Sequence, residues 1–251
     1  MKQFTKRWFM LLSCLAVLAL SAYWLLTKAH DPKVQTVPAA QCDYGYQSAV
    51  RQNLLQGVAA SFDGLNATVD AVYFDGNRLY AVVKAAQDVD MQGAELTLVH
   101  AAGEKKQDQM ERIDDERLVV IWNACEPAQS GNKILCRCAD GQVYASPEIE
   151  IPAAKMEHLE IEKQFEELYI RSICEADTSM LIDLDVYALL ELHGFQIETS
   201  EGIFSDVMME HNDKNYKLLF PAHTELSDEF TIYGKDREGF VMMTIPVKLY
   251  D

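Results

Sequence analysis

The sequence predicts an all-β protein, with one or two immunoglobulin-like β-sandwiches in tandem behind an N-terminal transmembrane helix. Two observations predict this class. An uncharged apolar segment lies near the amino terminus, and many short segments of alternating apolar and polar residues follow it. Alternation with a period of two is typical of half-buried strands. About seven such strands, separated by turn residues, are the number expected of one immunoglobulin-like sandwich.

The apolar segment runs from Trp8 to Leu26 and contains 19 residues. At 1.5 Å per helical residue it spans about 28 Å, close to the roughly 30 Å hydrocarbon core of a bilayer. A secretory signal has a shorter apolar core of about 7 to 15 residues. We therefore predict a retained signal-anchor helix over residues 8–26. Cleavage near Ala19-Leu20-Ser21 or Thr27-Lys28-Ala29 is the alternative, and lipidation at Cys14 is another.

The basic residues on either side of the apolar segment predict its orientation. Three precede it and two follow it closely: Lys2, Lys6, Arg7, Lys28 and Lys33. The positive-inside rule then puts residues 1–7 in the cytoplasm and the rest of the chain outside. We expect a single-pass protein of the cell membrane with an extracytoplasmic C-terminal part. Membrane lipid would contact its N-terminal helix, and seven residues are too few for a cytoplasmic domain.

The extracytoplasmic part is strongly acidic. All 39 Asp and Glu residues lie after residue 30, against 18 of the 22 Lys and Arg residues, so this part has a net charge of −21. Such a charge repels phosphate backbones, and nucleic acid is therefore not an expected partner. An envelope protein or a cell-wall ligand is the expected partner. Cation binding by the acidic surface is the functional alternative.

The predicted organisation after the membrane segment is a stalk over residues 27–45 and two β-sandwich domains, 46–152 and 153–251. The stalk contains Pro32 and Pro38, and the boundary between the domains is placed at Pro152 and the residues after it. A short helix is predicted over 46–58. Strands are predicted over 68–74, 78–84, 95–100, 117–123, 133–138 and 142–151 in the first domain. In the second they are predicted over 158–165, 167–174, 180–187, 195–198, 216–221, 229–233 and 240–249.

Two local signals refine this organisation. Asp75-Gly76-Asn77 separates the first two predicted strands, and such a turn sequence between alternating segments is a strong hairpin signal. The segment 186–194 could instead be helical, since periodicity alone does not decide so short an apolar segment.

The segment from Thr68 to Val82, TVDAVYFDGNRLYAV, resembles the opening of the DUF4179-type domain found outside the membrane in Firmicutes. The second half of the chain is similar in layout to the immunoglobulin-like DUF5643 domain that often follows it. The resemblance implies an extracytoplasmic sandwich without catalytic residues. In that family the ectodomain is commonly joined to a cytoplasmic anti-sigma segment. With seven residues predicted inside, sigma-factor binding is not carried over to this chain.

Five cysteines follow the apolar segment, and an odd number leaves at least one free or paired between chains. They are Cys42, Cys125, Cys136, Cys138 and Cys174. Cys136 and Cys138 are too close along a strand to bridge each other easily. We predict a disulfide from Cys125 to Cys136, with Cys138 as the alternative partner. Quiet, half-buried thiols are the competing interpretation, and the spacing does not supply four zinc ligands.

The sequence predicts no catalytic, cofactor-binding or metal-binding residue, and no cofactor. Asp88 to Gly93 opens like a calcium loop, but Val99 stands where a bidentate glutamate is needed, which favours a plain turn. Asp183 and Asp185 share one strand face and could hold a cation with a third carboxylate. Ordinary alternation of a half-buried strand is the favoured explanation.

These observations favour a binding or sensing role at the cell envelope, with loops or an exposed edge presented to the partner. One alternative is a structural or assembly subunit of a cell-surface complex that pairs through an exposed edge strand. Another is an envelope hydrolase with an acidic site, because perturbed carboxylates in a cleft would mark one.

Overall fold

Four β-sheets and one short helix make up the described part of this chain. The structure is a computed structural model that describes residues 43–87, 89, 91, 93–187, 191–200, 202–221 and 229–249. The fold is all-β and consistent with β-sandwich folds. The predicted transmembrane segment 8–26 lies outside the described residues. Within them, no helix is long and apolar enough to cross a bilayer.

The first half of the described chain contains one helix and nine strands. They are α1 (Tyr44–Arg51), β1 (Gln56–Ser61), β2 (Ala67–Phe74), β3 (Arg78–Ala85), β4 (Glu95–His100), β5 (Gly103–Lys106), β6 (Gln109–Arg112), β7 (Arg117–Asn123), β8 (Lys133–Arg137) and β9 (Val143–Ala145). One sheet has the order β1-β2-β3-β7-β6 and the other β5-β4-β8-β9. We call these two sheets the first sheet pair.

The second half contains nine further strands. They are β10 (Met156–Phe165), β11 (Leu168–Ala176), β12 (Met180–Val186), β13 (Gly194–Thr199), β14 (Gly202–Ser205), β15 (Met208–Asn212), β16 (Asn215–Phe220), β17 (Glu229–Lys235) and β18 (Val241–Lys248). Their sheets, the second sheet pair, have the orders β10-β11-β12-β16-β15 and β14-β13-β17-β18. This repeats the first sheet pair, with every strand number raised by nine.

Each sheet pair encloses its own hydrophobic core. Val72 and Trp122 from one sheet meet Leu96 and Ile134 from the other in the first core. The second core joins its two sheets in the same manner, with Ile182 and Ile232 fully buried. Burial of each such side chain contributes about 1.5–3 kcal/mol. Strand alternation therefore supplies two separate apolar layers. The sheet β1-β2-β3-β7-β6 also buries apolar residues on its other face, namely Val82, Val119 and Ile121.

Both sheet pairs share the same local irregularity in their first strand. The register between β1 and β2 is interrupted around Ala59, whose φ is 49°. The register between β10 and β11 is interrupted around Glu162, whose φ is 45°. A β-bulge of this kind bends the strand and increases its twist.

The chain also passes between sheets in the same way in both pairs. Gln107, just after β5, donates its N–H to the Leu96 carbonyl and accepts the Leu96 N–H on its side chain at 2.7 Å. Asp206, just after β14, makes the same two bonds with Phe195, at 3.1 and 2.8 Å. In both cases the next residue bonds to the opposite sheet. In each sheet pair the chain thus passes directly from the edge strand of one sheet to the edge strand of the other.

The predicted helix over 46–58 is only partly right. The helix begins at Tyr44 and ends at Arg51, and β1 already begins at Gln56. It ends there because Asn53 has a left-handed φ of 56°, and the Leu54 N–H turns back to the Ala49 carbonyl at 2.9 Å. The first two helical residues belong to the segment predicted as stalk.

The strand predictions miss several strands and make another strand too long. The first half has nine strands, not about seven, because β1, β5 and β6 escape the prediction. The strand predicted over 142–151 is observed only at Val143–Ala145, since Pro147 has no N–H to continue the ladder. The predicted boundary at Pro152 lies between β9 and β10, and the bounds of the two domains stay a prediction.

Candidate functional site

A buried polar cluster joins the two sheet pairs. It lies where the β2–β3 turn and the start of α1 meet the β11–β12 turn. We call it the junction network, and its members are Asp43, Asp75, Asn77, Arg78, Tyr80, Asn123, Thr178 and Ser179.

The Arg78 guanidinium is the centre of the junction network. It is fully buried and donates two parallel hydrogen bonds of 2.9 Å to the Asp43 carboxylate. Its Nε donates to Asn123 Oδ1 at 2.8 Å, and its Nη1 to the Tyr80 hydroxyl at 3.1 Å. A buried charge is tolerated when it is paired and hydrogen-bonded in this way. Because Asp43 is also the N-cap of α1 and accepts the Tyr46 N–H, Arg78 fixes the start of the helix.

Asp75 holds the β2–β3 turn against the second sheet pair. Its Oδ1 accepts the N–H groups of Asn77 and Arg78 at 2.8 and 2.6 Å, and its Oδ2 accepts the Thr178 hydroxyl. Burial raises the pKa of the Asp75 carboxyl, while the hydrogen bonds from Thr178 and the turn oppose that rise.

Three further contacts cross between the sheet pairs. The Tyr80 hydroxyl lies 3.1 Å from Thr178 Oγ1, and Asn77 Nδ2 donates to Ser179 Oγ at 3.2 Å. At the margin, the Tyr73 hydroxyl donates to Asp177 Oδ2 at 2.9 Å. Burial raises the pKa of both tyrosines, so both are neutral phenols at pH 7.

Helix α1 contacts both sheet pairs. The Tyr44 ring packs against the second core, with its centroid 4.7 Å from that of Phe204. A Cβ on Gly45 would collide with the Tyr80 hydroxyl and would lie 2.9 Å from Arg78 Nη1. The first turn of the helix therefore needs glycine to reach the junction network.

The outer face of β12 carries Asp183 and Asp185, the two aspartates that the sequence singled out. They lie on one face, but each has a protein partner. Arg171 Nη2 donates to both Asp185 oxygens at 2.9 and 2.7 Å, and Asn215 Nδ2 donates to Asp183 at 2.8 Å. Among the described residues, no group of three His, Cys, Asp or Glu side chains could hold a metal ion. The loop from Asp88 to Gly93 lies partly outside those residues.

The structure describes four cysteines, each in its thiol form. Cys125 and Cys136 both lie in the first core, where burial raises the pKa of each to about 12. The disulfide predicted between them stays a prediction. Cys174 Sγ lies 2.8 Å from His158 Nδ1, a pairing that the sequence analysis missed. The two residues are opposite each other in the β10–β11 register. Burial, helped by the nearby Asp183, raises the Cys174 pKa, so its thiol is protonated at pH 7.

A groove of about 470 Å³ lies on the outer face of the sheet β5-β4-β8-β9. Ligand pockets typically have volumes of about 300–1,000 Å³. The lining residues of this groove are Glu95, Thr97, Glu104, Lys106, Leu135, Arg137 and Val143.

The charges in the groove are not all paired with one another. Lys106 Nζ lies 2.6 Å from Glu95 Oε2. Among the residues that the structure describes, Glu104 and Arg137 form neither an ion pair nor a side-chain hydrogen bond. The groove thus presents one unpaired cation and one unpaired anion to solvent.

Exposed apolar side chains lie just before the edge strand β18 and on its first two residues. Phe240, Val241 and Met242 are 64%, 51% and 47% exposed. In the described chain β18 forms a β-ladder with one strand, β17, and the Pro246 that it contains is typical of an edge strand. The corresponding edge of β9 is partly covered, since the Asp63 N–H donates to the Ala145 carbonyl at 3.0 Å. The far end of β18 has a similar contact, since Lys163 Nζ of β10 donates to the Lys248 carbonyl at 3.2 Å.

No family model and no curated protein sequence matches this chain. Solved structures do match it. A conserved domain protein from Bacillus anthracis has 9% identity and a TM-score of 0.43, covering 86% of this chain and 94% of that one. A type I pullulanase from Bacillus subtilis has 11% identity and a TM-score of 0.24, covering 76% of this chain and 25% of that one. A segment of TarS from S. aureus has 10% identity and a TM-score of 0.26, covering 81% and 73%. All three TM-scores lie below 0.5, too low for an inference about function.

Proposed function

We propose that this protein is a membrane-anchored, extracytoplasmic binding or sensing protein of the cell envelope that carries out no catalysis. Its two sheet pairs would be immunoglobulin-like sandwiches, and the groove would be its binding site. The resemblance of residues 68–82 to the DUF4179-type domain and the apolar segment over residues 8–26 support the location.

The observation that carries this proposal is the groove itself. It lies on a four-stranded sheet, and its unpaired Glu104 and Arg137 face solvent. Side chains on strands are held more precisely than side chains on loops. Little rearrangement is then needed for binding, which reduces the entropic cost of association.

The junction network supports a binding role over a catalytic one. Perturbed ionisable groups in a cleft are what would mark an active site. Here Asp75, Arg78 and Tyr80 are buried, and their polar atoms are hydrogen-bonded to one another or across the junction. Their charges and hydroxyls are used to hold the two sheet pairs together.

Blocking the groove tests the proposal. Full-length wild-type chain and the variant Thr97→Arg would be compared for capture of soluble cell-wall fragments from a Gram-positive-type bacterium. The matched control is Gln196→Arg at the corresponding position of β13. We expect Thr97→Arg to lose capture and the control to retain it. Equal capture by both variants, or turnover of the captured fragments, would contradict the proposal.

The location needs a separate test. A reporter fused after Asp251 should be active outside the cytoplasm. Activity only inside it would contradict the proposed orientation.

The exposed start of β18 favours a second candidate function, as an assembly subunit that pairs through this edge. The chain has a net charge of −17, so a second copy would be repelled and a basic partner strand attracted. Pro is tolerated in an edge strand where its N–H would face solvent. Thr244 lies two residues before Pro246 in the same strand. Because backbone N–H groups alternate between the two sides of a strand, the Thr244 N–H points to the same outer side as the Pro246 nitrogen.

An octapeptide of alternating lysine and valine is a suitable probe of this edge. Its binding should protect the Thr244 amide from hydrogen exchange. Thr244→Pro, which removes an outward N–H and fixes φ without removing a bond to β17, should abolish binding. Unchanged binding to Thr244→Pro would exclude strand pairing at β18.

A further inference from the structure

The two unpaired charges of the groove lie at opposite corners of its sheet. Arg137 of β8 is opposite Glu95 of β4, whereas Glu104 of β5 is opposite Val99. The corners are thus four residues apart along β4, about 13 Å, and two strand spacings apart across the sheet, about 10 Å. Their Cα atoms are then roughly 16 Å apart, and the side chains can reach into the groove from both corners.

The other two charges in the groove compensate each other. Lys106 and Glu95 form an ion pair of 2.6 Å. What is left for a ligand is one cation, Arg137, and one anion, Glu104. A ligand with a single charge would pair one of them and leave the other unpaired, whereas a ligand with a cation at one end and an anion at the other would pair both.

The surface between the charged corners suits small aliphatic groups and a polar backbone. Leu135 and Val143 contribute apolar side chains, and Thr97 contributes a hydroxyl. The acidic excess of the chain repels polyanions. A ligand with no net charge escapes this repulsion.

An extended peptide has these properties. It rises about 3.3–3.6 Å per residue, so three to five residues span the distance between the corners. We propose that the groove binds a short extended peptide with free termini, its carboxylate on Arg137 and its ammonium group on Glu104. This assignment rests on the proposed function of the groove and names the ligand class for that same site.

Capping the termini of one peptide separates the two contacts. The probe is tetraalanine, compared with its N-acetylated and its C-amidated form by calorimetric titration of the full-length chain. Each cap should weaken binding to the wild type about two- to fivefold, the range of one solvent-exposed ion pair. Acetylation should have no effect on Glu104→Gln, and amidation should have none on Arg137→Gln. Dialanine is too short for both contacts and should respond to one cap at most.

The control is a charged pair outside the groove lining, Lys133 of β8 with Glu148 after β9, at 3.8 Å. Lys133→Gln and Glu148→Gln should leave both cap effects unchanged. If the caps have the same effect on every variant, or none on the wild type, the peptide assignment is wrong. The proposed function would survive that result if Thr97→Arg still abolished capture of cell-wall fragments, and would fail if Thr97→Arg captured them normally.

Discussion

The two sheet pairs have the same strand order, the same bulge and the same crossover between sheets, but their corresponding β-turns carry different chemistry. The β2–β3 turn brings the Asp75 carboxyl and the charged Arg78 into the junction network. The β11–β12 turn brings the hydroxyls of Thr178 and Ser179. A hydroxyl can donate to a carboxylate and accept from an amide. The hydroxyls of the β11–β12 turn therefore satisfy the hydrogen-bonding groups of the β2–β3 turn without burying another charge.

Each half also contains an Arg–Asp pair whose aspartate side chain is buried, but the two pairs have different surroundings. Arg78 and Asp43 are buried together, and Arg78 makes further bonds. In the second half Asp185 is buried, but the Arg171 side chain is 44% exposed. The comparison indicates that the first half uses its pair to hold α1 and the junction, while the second half places its pair on an outer sheet face.

Replacing Arg78 should have the largest effect on stability, and it tests the difference between the two Arg–Asp pairs most directly. Arg78→Ala leaves Asp43 buried without its partner, and such a loss costs about 3–5 kcal/mol of unfolding free energy. Urea unfolding of the full-length chain measures it. Arg171→Ala is the matched variant. Its loss should be smaller, because the Arg171 side chain is already 44% exposed and Asp185 keeps a hydrogen bond from Asn215 Nδ2 at 3.3 Å. Equal losses would show that the two pairs do not differ as the comparison states.

Gly45→Ala tests how closely α1 must approach the junction. The added Cβ would collide with the Tyr80 hydroxyl, and overpacking of this kind costs about 1–3 kcal/mol. Gly57→Ala in β1 is the control, since its Cβ would have 3.9 Å to the nearest atom. Thermal unfolding of both variants gives the comparison. An unfolding temperature for Gly45→Ala that equals that of Gly57→Ala would mean that the helix can shift to accommodate the methyl group.

Tyr44→Ala sharpens the claim that α1 contacts the second half as well as the first. Loss of the ring contact with Phe204 should cost about 0.5–1.5 kcal/mol beyond the loss of buried area. Hydrogen exchange should become faster in β14, where Phe204 lies, and stay unchanged in β4. Tyr187→Ala, at an exposed tyrosine of the second half, should leave β14 unaffected. Unchanged exchange in β14 of Tyr44→Ala would contradict the contact.

Asp75→Asn should have the smallest effect near neutral pH and a distinct pH signature. Because burial raises the pKa of Asp75 above the ordinary value of about 3.9, the folded chain holds this proton at a pH where the unfolded chain has lost it. The unfolding free energy of the wild type should therefore decrease as the pH rises from about 4 through the raised pKa. Asn removes this contribution. Parallel curves for wild type and variant between pH 4 and 7 would show that the pKa of Asp75 is not raised.

Much of the fold could be predicted from alternation and turn residues. β4 and β7 have the predicted bounds, and Asp75-Gly76-Asn77 connects β2 and β3 as expected. Strands with one buried face carry the period-two signal that such predictions depend on. β5 and β6, and their counterparts β14 and β15, were missed because they are short edge strands with little buried surface. Gly103-Glu104-Lys105-Lys106 has no apolar residue to alternate.

The candidate sites were much less predictable. Asp75 and Asn77 are ordinary turn residues, and turns usually face water. The local sequence therefore does not predict that these two residues are buried. Their partners Thr178 and Ser179 lie about a hundred residues further along the chain. The groove could not be predicted either, because its charged residues come from three strands. In the sequence they resemble the solvated face of any sheet. The β10–β11 hairpin is the exception, since its register alone brings His158 opposite Cys174.

The first turn of α1 determines how the molecule would bear mechanical tension. Asp43 is tied to Arg78 in the first half, and the neighbouring Tyr44 packs on Phe204 in the second. A pull applied through the chain before Asp43 would thus be divided between both halves within two residues. The two paired bonds to Arg78 and the crossing bonds behind them would share the load, so neither half would be unravelled strand by strand from its first edge.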